Sequence, residues 1–396
     1  MAKNQGPDFQ RRYIPSIEGI RGYGFIAVFL AHYFSPEQFA SSGRIFFYPA
    51  LVESAIGTFA VPGFFVLSGY LIGGILYDSR HREGFFKVFY SRRILRVFPL
   101  YYLTLLAITL LDLHRGVRLD YHFWSHYFYV QNLLPGYATV LGAPTNQTIH
   151  FWSLAVEEQF YFIWPLVVWL FPARRKLLRI TCILIASSFI LRMASPWLHL
   201  SFEKVYLSTP TRVDAILLGV VLAIVRHDKI YERLVPMAKY VVLAGFSIAA
   251  VRAVLTGNAW SFNYLDVALM FPCVDITCVA MVVAVMEKDS WLCRVCSRNW
   301  ICWMGKISYG LYVIHFTYVM WFQNTVIPGL TRHMPHTIAV FMSGSMAFIL
   351  TLMLATLSYK FIEGPIANFK RQLKYGPVKK SSVGQDNAVE VLAEAG

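Results

Sequence analysis

IPSIEGIRGYGFIAVFLAHYF, residues 14–34, decides how the whole chain is read. It is apolar enough and long enough for one membrane-spanning helix, yet it contains Arg21 and His32. Eleven helical steps advance about 16 Å and turn through close to three revolutions, so both side chains lie on one face. A guanidinium and an imidazole inside hydrocarbon are costly unless that face meets protein or a wet cavity. One segment therefore holds a cation at one depth of the bilayer and a titratable base at another.

The remaining sequence agrees with a membrane setting. Of 396 residues 57% are hydrophobic and only 15% charged, too few charges to coat a soluble protein of this size; the mean hydropathy is +0.50. Apolar runs of about 17–25 residues recur from end to end, the length a bilayer demands. They place ten spans, near 17–34, 55–77, 95–113, 152–171, 177–195, 212–226, 238–255, 264–286, 305–327 and 338–362. The expected fold is all-α, a polytopic membrane protein with about ten transmembrane helices.

The net charge of +14 would suit nucleic acid, but its distribution argues against that partner. Residues 80–96, 174–179, 226–239, 288–306 and the two ends hold 26 of the 36 Lys and Arg residues, whereas the intervening connections hold Arg44, Arg115, Arg118, Lys204 and Arg332. This alternation is the positive-inside pattern, which puts both termini in the cytoplasm of a multi-pass protein of the inner (plasma) membrane. The partner implied is membrane lipid. Residues 1–12 form a cytoplasmic leader without a small-residue cleavage site. Residues 13–370 make the transmembrane domain. Residues 371–396 form a cytoplasmic tail, disordered by composition. No second soluble domain is expected, and no repeat supports an inverted-repeat transporter. Cys293-Arg-Val-Cys296 has the spacing of half a zinc site, but no second pair follows, so no metal is expected. The longest connection, 114–151, lies outside and carries Tyr121, Phe123, Trp124, Tyr127, Phe128 and Tyr129. They read as an interfacial belt, with a lid or sugar-stacking surface as the alternative.

Polar residues inside the spans fall into four groups. Arg21 and His32 are the first. In FYSRRILRVFPLYYL, residues 89–103, Arg93 and Arg96 share a helix face and suit a bidentate phosphate clamp; snorkelling to lipid is the bland alternative. In WSLAVEEQFYFIWPL, residues 152–166, Glu157 and Glu158 sit one to two turns inside an aromatic helix, about 100° apart. One would orient His32 and the other would pair with Arg212. The fourth group is Arg212 and Asp214 at the start of the sixth span, with Ser308, Tyr312 and His315 at i, i+4 and i+7 in the ninth as a polar stripe.

The order of these signatures resembles the acyltransferase-3 family of membrane-integral O-acyltransferases, over roughly residues 13–370. The resemblance rests on EGIRG with Arg21 and His32 in register, GFFVLSGYLIGG at 63–74, RRILR at 92–96, WSLAVEEQFY at 152–161, RVDAILLG at 212–219 and SYGLYVIH at 308–315. Where that family often has DGLRG, this chain has Glu18 and Ile20. The resemblance implies transfer of an acyl group, often acetyl, from cytoplasmic acyl-CoA to a hydroxyl of a carbohydrate or glycoconjugate acceptor. Acyl-CoA would serve as a co-substrate, with no bound cofactor.

Two function classes follow. As an O-acyltransferase, the chain would use His32 as general base or as a nucleophile carrying the acyl group. Glu157 or Glu158 would fix its tautomer, and Arg93, Arg96 and Arg21 would hold the donor phosphates. As a transporter of an anionic or proton-coupled solute, it would use the same groups as a relay.

Overall fold

The structure, a computed structural model, describes residues 14–40, 42–137, 147–258, 264–370 and 372–378. Seven stretches are helical, long and apolar enough to cross a membrane: Arg44–Ser79, Phe85–His114, Arg174–Ala194, Phe202–Val225, Lys229–Thr256, Leu269–Met286 and His336–Lys370. The chain is an all-α, multi-pass membrane protein. The principal helices are α1 (Pro15–Tyr33), α2 (Arg44–Gly57), α3 (Ala60–Ser79), α4 (Phe85–His114), α5 (Trp152–Leu170) and α6 (Arg174–Ala194). They continue with α7 (Thr209–Val225), α8 (Lys229–Thr256), α9 (Tyr264–Met286), α10 (Asn299–Lys306), α11 (Ser308–His315) and α12 (His336–Ser358).

Three expected spans are not among the seven, and each of them is broken by polar groups or by irregular backbone. Helix α1 contains Glu18, Arg21 and His32, and α5 contains Glu157, Glu158 and Gln159. The ninth span is a succession of short helices, α10, α11, Val319–Trp321, a π turn at Phe322–Val326 and Ile327–Thr331. Its main break follows His315. There the Phe316 N–H, which would bond the Tyr312 carbonyl in a continuing helix, turns to Ile314 O.

Other boundaries also move. Helix α4 starts at Phe85, ten residues before its expected span, because Gly84 at φ 73° ends the preceding turn and FFKVFYSRRIL continues the helical register. The tail is not free from residue 371 onward. Leu373 O accepts from Arg92 Nε at 2.9 Å, Tyr375 is buried, and Val378 bridges to Arg82, so residues 372–378 pack against the α3–α4 turn. Residues 1–13 and 379–396 lie outside the described residues.

Helices α3 and α7 cross with backbones almost touching. A Cβ added to Gly69 would fall 1.8 Å from Ile216 O, and one added to Gly219 would fall 2.1 Å from Val66 O. Only glycine at both positions allows this approach. Helix α1 is clamped by the late part of the chain, with Cys302 Sγ donating to Pro15 O at 3.2 Å. The connection 114–151 is only partly an exposed aromatic belt. Tyr121, Trp124 and Phe128 are exposed, whereas Phe123 and Tyr129 are buried. Tyr129 stacks on Tyr101 with ring centres 4.4 Å apart, and Gln159 Nε2 donates to its carbonyl at 2.6 Å. Residues 138–146 of that connection lie outside the described residues.

Candidate active site

Helices α1, α3, α4, α5 and α11 enclose a cavity of about 190 Å³. Its lining contains Arg21, Arg93, Arg96, Glu157 and Glu158, together with Ser68, Ser153, Tyr161, Ser308 and Tyr312. The long helix α4 explains the arginines: its first turns lie alongside the cavity, so Arg93 and Arg96 face inward rather than lipid. Arg92, one position away from Arg93, points elsewhere and holds the tail at Leu373.

Glu157 is held firmly. Ser68 Oγ donates to its Oε1 at 2.6 Å and the Tyr161 hydroxyl donates to its Oε2 at 3.3 Å. The guanidinium of Arg93 lies 4.9 Å from the Tyr161 ring centre, and Arg21 is tied back to Glu18 at 3.4 Å. The two glutamates thus balance the arginines of one cavity, carboxylate and guanidinium sharing a site that would be costly for either alone. Sequence reasoning assigned them a second task, and there the structure differs. Among the described residues His32 has no glutamate partner.

The partner of His32 is His315, Nδ1 to Nε2 at 3.1 Å, with the rings stacked. The donor and acceptor can be assigned from the next bond. His315 Nδ1 lies 2.7 Å from Tyr312 O, the carbonyl left open by the end of α11. A carbonyl only accepts, so His315 Nδ1 carries its proton and Nε2 of the neutral ring is an acceptor. His32 Nδ1 must then be the donor, which leaves the lone pair of His32 on Nε2. Further bonds hold the backbone of both residues: Tyr33 OH donates to His315 O at 2.9 Å, and Gln323 Nε2 donates to His32 O at 3.1 Å.

His150, which sequence reasoning passed over, completes the cluster. Its ring centre is 5.2 Å from that of His315, its Nε2 is 3.3 Å from Val313 O, and its Nδ1 is buried without a partner among the described residues. The only sequence signal was its position two residues before the WSLAVEEQFY motif. Tyr312 joins the two halves of the site. Its carbonyl receives His315, while its hydroxyl faces the arginine-lined cavity 2.6 Å from Ser153 Oγ. Tyr312 OH and Ser153 Oγ both lie within hydrogen-bond distance of His150 O, at 3.0 and 3.2 Å, so their two protons are shared between that carbonyl and the contact between the two hydroxyls. Ser308 also lines the cavity, its hydroxyl buried and without a partner among the described residues.

Arg212 and Asp214 stand apart from this site. Asp214 on α7 pairs with Arg192 on α6, which is buried to 1% exposure and was not singled out in the sequence. Arg212 lies 4.0 Å above the ring of Phe271, and the expected ion pair with a glutamate of α5 does not form among the described residues. With Asp275 buried beside them, these side chains tie α6, α7 and α9 together. No cluster suited to a metal ion occurs among the described residues.

Comparison with known proteins places the chain in a family. A family model described as an acyltransferase domain matches residues 14–360. The chain is 24% identical to the O-acetyltransferase OatA of Staphylococcus aureus (strain MRSA252), over 97% of this chain and 62% of that protein. It is 29% identical to YrhL of Bacillus subtilis (strain 168), a candidate peptidoglycan O-acetyltransferase, over 90% of this chain and 55% of that one. It therefore spans about three-fifths of the length of these curated relatives. No solved structure matches. With signatures on α1, α4, α5 and α11 converging on one site, and a family match across most of its length, the chain belongs to the acyltransferase-3 family of membrane-integral acyltransferases.

Proposed function

We propose that the protein is an O-acyltransferase of the plasma membrane that moves an acetyl group from acetyl-CoA to a hydroxyl of a cell-surface polysaccharide. The observation that carries this reading is the continuity of the site. An arginine-lined cavity ends at Tyr312, and the same residue orients the pair His315–His32.

Arg93, Arg96 and Arg21 suit the phosphates of CoA, and they sit towards the side that the basic connections assign to the cytoplasm. The pantetheine arm would run past Ser68 and Glu157, bringing the thioester to Tyr312. His32 Nε2 takes the proton of the acceptor hydroxyl as its oxygen attacks the thioester carbonyl. The new C–O bond forms, the C–S bond breaks, and the thiolate leaves with the proton returned from His32. During attack the Tyr312 hydroxyl can turn to the developing oxyanion, because Ser153 continues to satisfy His150 O. Direct transfer needs no second carrier, so His32 is assigned as base rather than nucleophile. The names of the relatives make peptidoglycan the first acceptor to try.

The test is turnover by purified, detergent-solubilised protein given labelled acetyl-CoA and polysaccharide fragments. Base-labile label on the glycan is the expected result. Uptake of solute into sealed vesicles with no acyl transfer in detergent would overturn the reading.

A further inference from the structure

Phe64 and Leu67 stand between two cavities. Besides the arginine-lined space of about 190 Å³, a chamber of about 820 Å³ lies between α1, α2, α3 and α9. Phe64 and Leu67 line both. The chamber has no Lys or Arg among its described lining residues and one carboxylate, Glu53. A phosphate or sugar would leave its polar groups unpaired there, whereas a hydrocarbon chain would not.

Phe64 sits one turn from Ser68 on the same face of α3, with its ring centre 6.2 Å from that of Tyr312. On its other flank, a Cβ added to Gly24 would come within 3.2 Å of Phe64 Cζ. The ring is therefore wedged between α1 and α11, next to the residue where the reaction proposed above has its thioester. An acyl chain leaving that carbonyl must avoid both the pantetheine arm and the incoming hydroxyl. Of the apolar walls of the smaller cavity, the one formed by Phe64 and Leu67 has the larger cavity behind it.

We infer that Phe64 is the partition that restricts this protein to short acyl groups, and that the chamber behind it accommodates the hydrocarbon of a longer donor when the ring is removed. The bond changes of the transfer are the same; only the chain attached to the carbonyl differs. The inference rests on the acyl-CoA reading, but it can fail separately.

Inside-out membrane vesicles loaded with polysaccharide fragments are supplied with acetyl-, butyryl-, hexanoyl- or octanoyl-CoA, and base-released acyl esters are measured. Because one misfitting methylene costs roughly tenfold or more in specificity, wild-type protein should favour acetyl over hexanoyl by at least about a hundredfold. Phe64→Ala should bring hexanoyl and octanoyl to within about tenfold of acetyl. Adding Met281→Trp, which refills the chamber, should reverse that gain. The milder Phe64→Leu should give an intermediate profile and decides the matter if Phe64→Ala does not accumulate. Wild-type protein that uses octanoyl as well as acetyl, or variants whose profile parallels wild type, would overturn the partition while leaving the acyl-CoA reading intact. No ester from any donor in wild type would overturn the proposed function itself.

Discussion

The nitrogen of His32 that can accept a proton is Nε2, because Nδ1 is engaged by His315 and His315 is engaged by the Tyr312 carbonyl. His32→Ala should lower transfer by about 10²–10⁴, the usual loss for a positioned base, at normal protein yield. His315→Ala should lower kcat while leaving the KM for acetyl-CoA near wild type, since the base persists but its tautomer is no longer fixed. His315→Gln should retain more activity than His315→Ala, because the amide oxygen can still accept from His32 Nδ1–H. Steady-state kinetics on the three variants checks this, and equal losses in Gln and Ala would count against the positioning role. Arg96→Ala should act mainly on the KM for acetyl-CoA, with Arg96→Lys rescuing only part, since an ammonium lacks the bidentate fork. An unchanged KM would return Arg96 to lipid contact. The i, i+4, i+7 spacing of Ser308, Tyr312 and His315 made their shared face legible in the sequence. It did not say what the face meets, because His32 lies 283 positions away. Glutamates were the obvious orienting partners by residue type, and a carbonyl freed by a broken helix has no sequence signature. Arg192 was hidden for a similar reason: a basic residue near a span end looks like any snorkelling cation.

At the level of elements, the crossing of α3 and α7 controls where Phe64, Ser68 and Leu67 stand. Gly219→Ala places a methyl 2.1 Å from Val66 O and 2.7 Å from Tyr70 N, backbone atoms that cannot rotate away. The helices must separate, at a cost of about 1–3 kcal/mol or more. Thermal stability and transfer rate should fall together in this variant. Gly329→Ala is the control, because nothing lies within 4 Å of the added Cβ and a surface change of this kind stays within about 0.5 kcal/mol. A melting temperature for Gly219→Ala equal to that of Gly329→Ala would refute the crossing. Strongly apolar spans were readable because length and hydropathy are local properties. The start of α4 and the fracture of the ninth span were not, since an amphipathic extension and a helix break each depend on neighbours remote in sequence.

Across the whole molecule, the site has two ends, which the proposed topology would set with the arginines towards the cytoplasm and His32 towards the outside. In a background with its six cysteines replaced, Leu198→Cys should react with a membrane-impermeant thiol reagent in intact cells and Lys176→Cys should not; both positions are exposed at helix ends. The reverse labelling would invert the proposed direction of transfer. The clamping of α1 by the late segment 299–315 has a consequence in time. Helix α1 is made ahead of the other described helices and is not among the seven apolar enough to cross a membrane by composition, yet Cys302 and His315, which bond to Pro15 and His32, are made about 280 residues later. At 5–20 residues per second that is a delay of roughly 15–60 s. Throughout it Arg21 and His32 lack their final surroundings, so α1 must wait beside the insertion machinery or against earlier helices. Biogenesis of this protein is therefore most exposed to quality-control proteases before segment 299–315 is synthesised, and the helix that waits is the one that carries the proposed base.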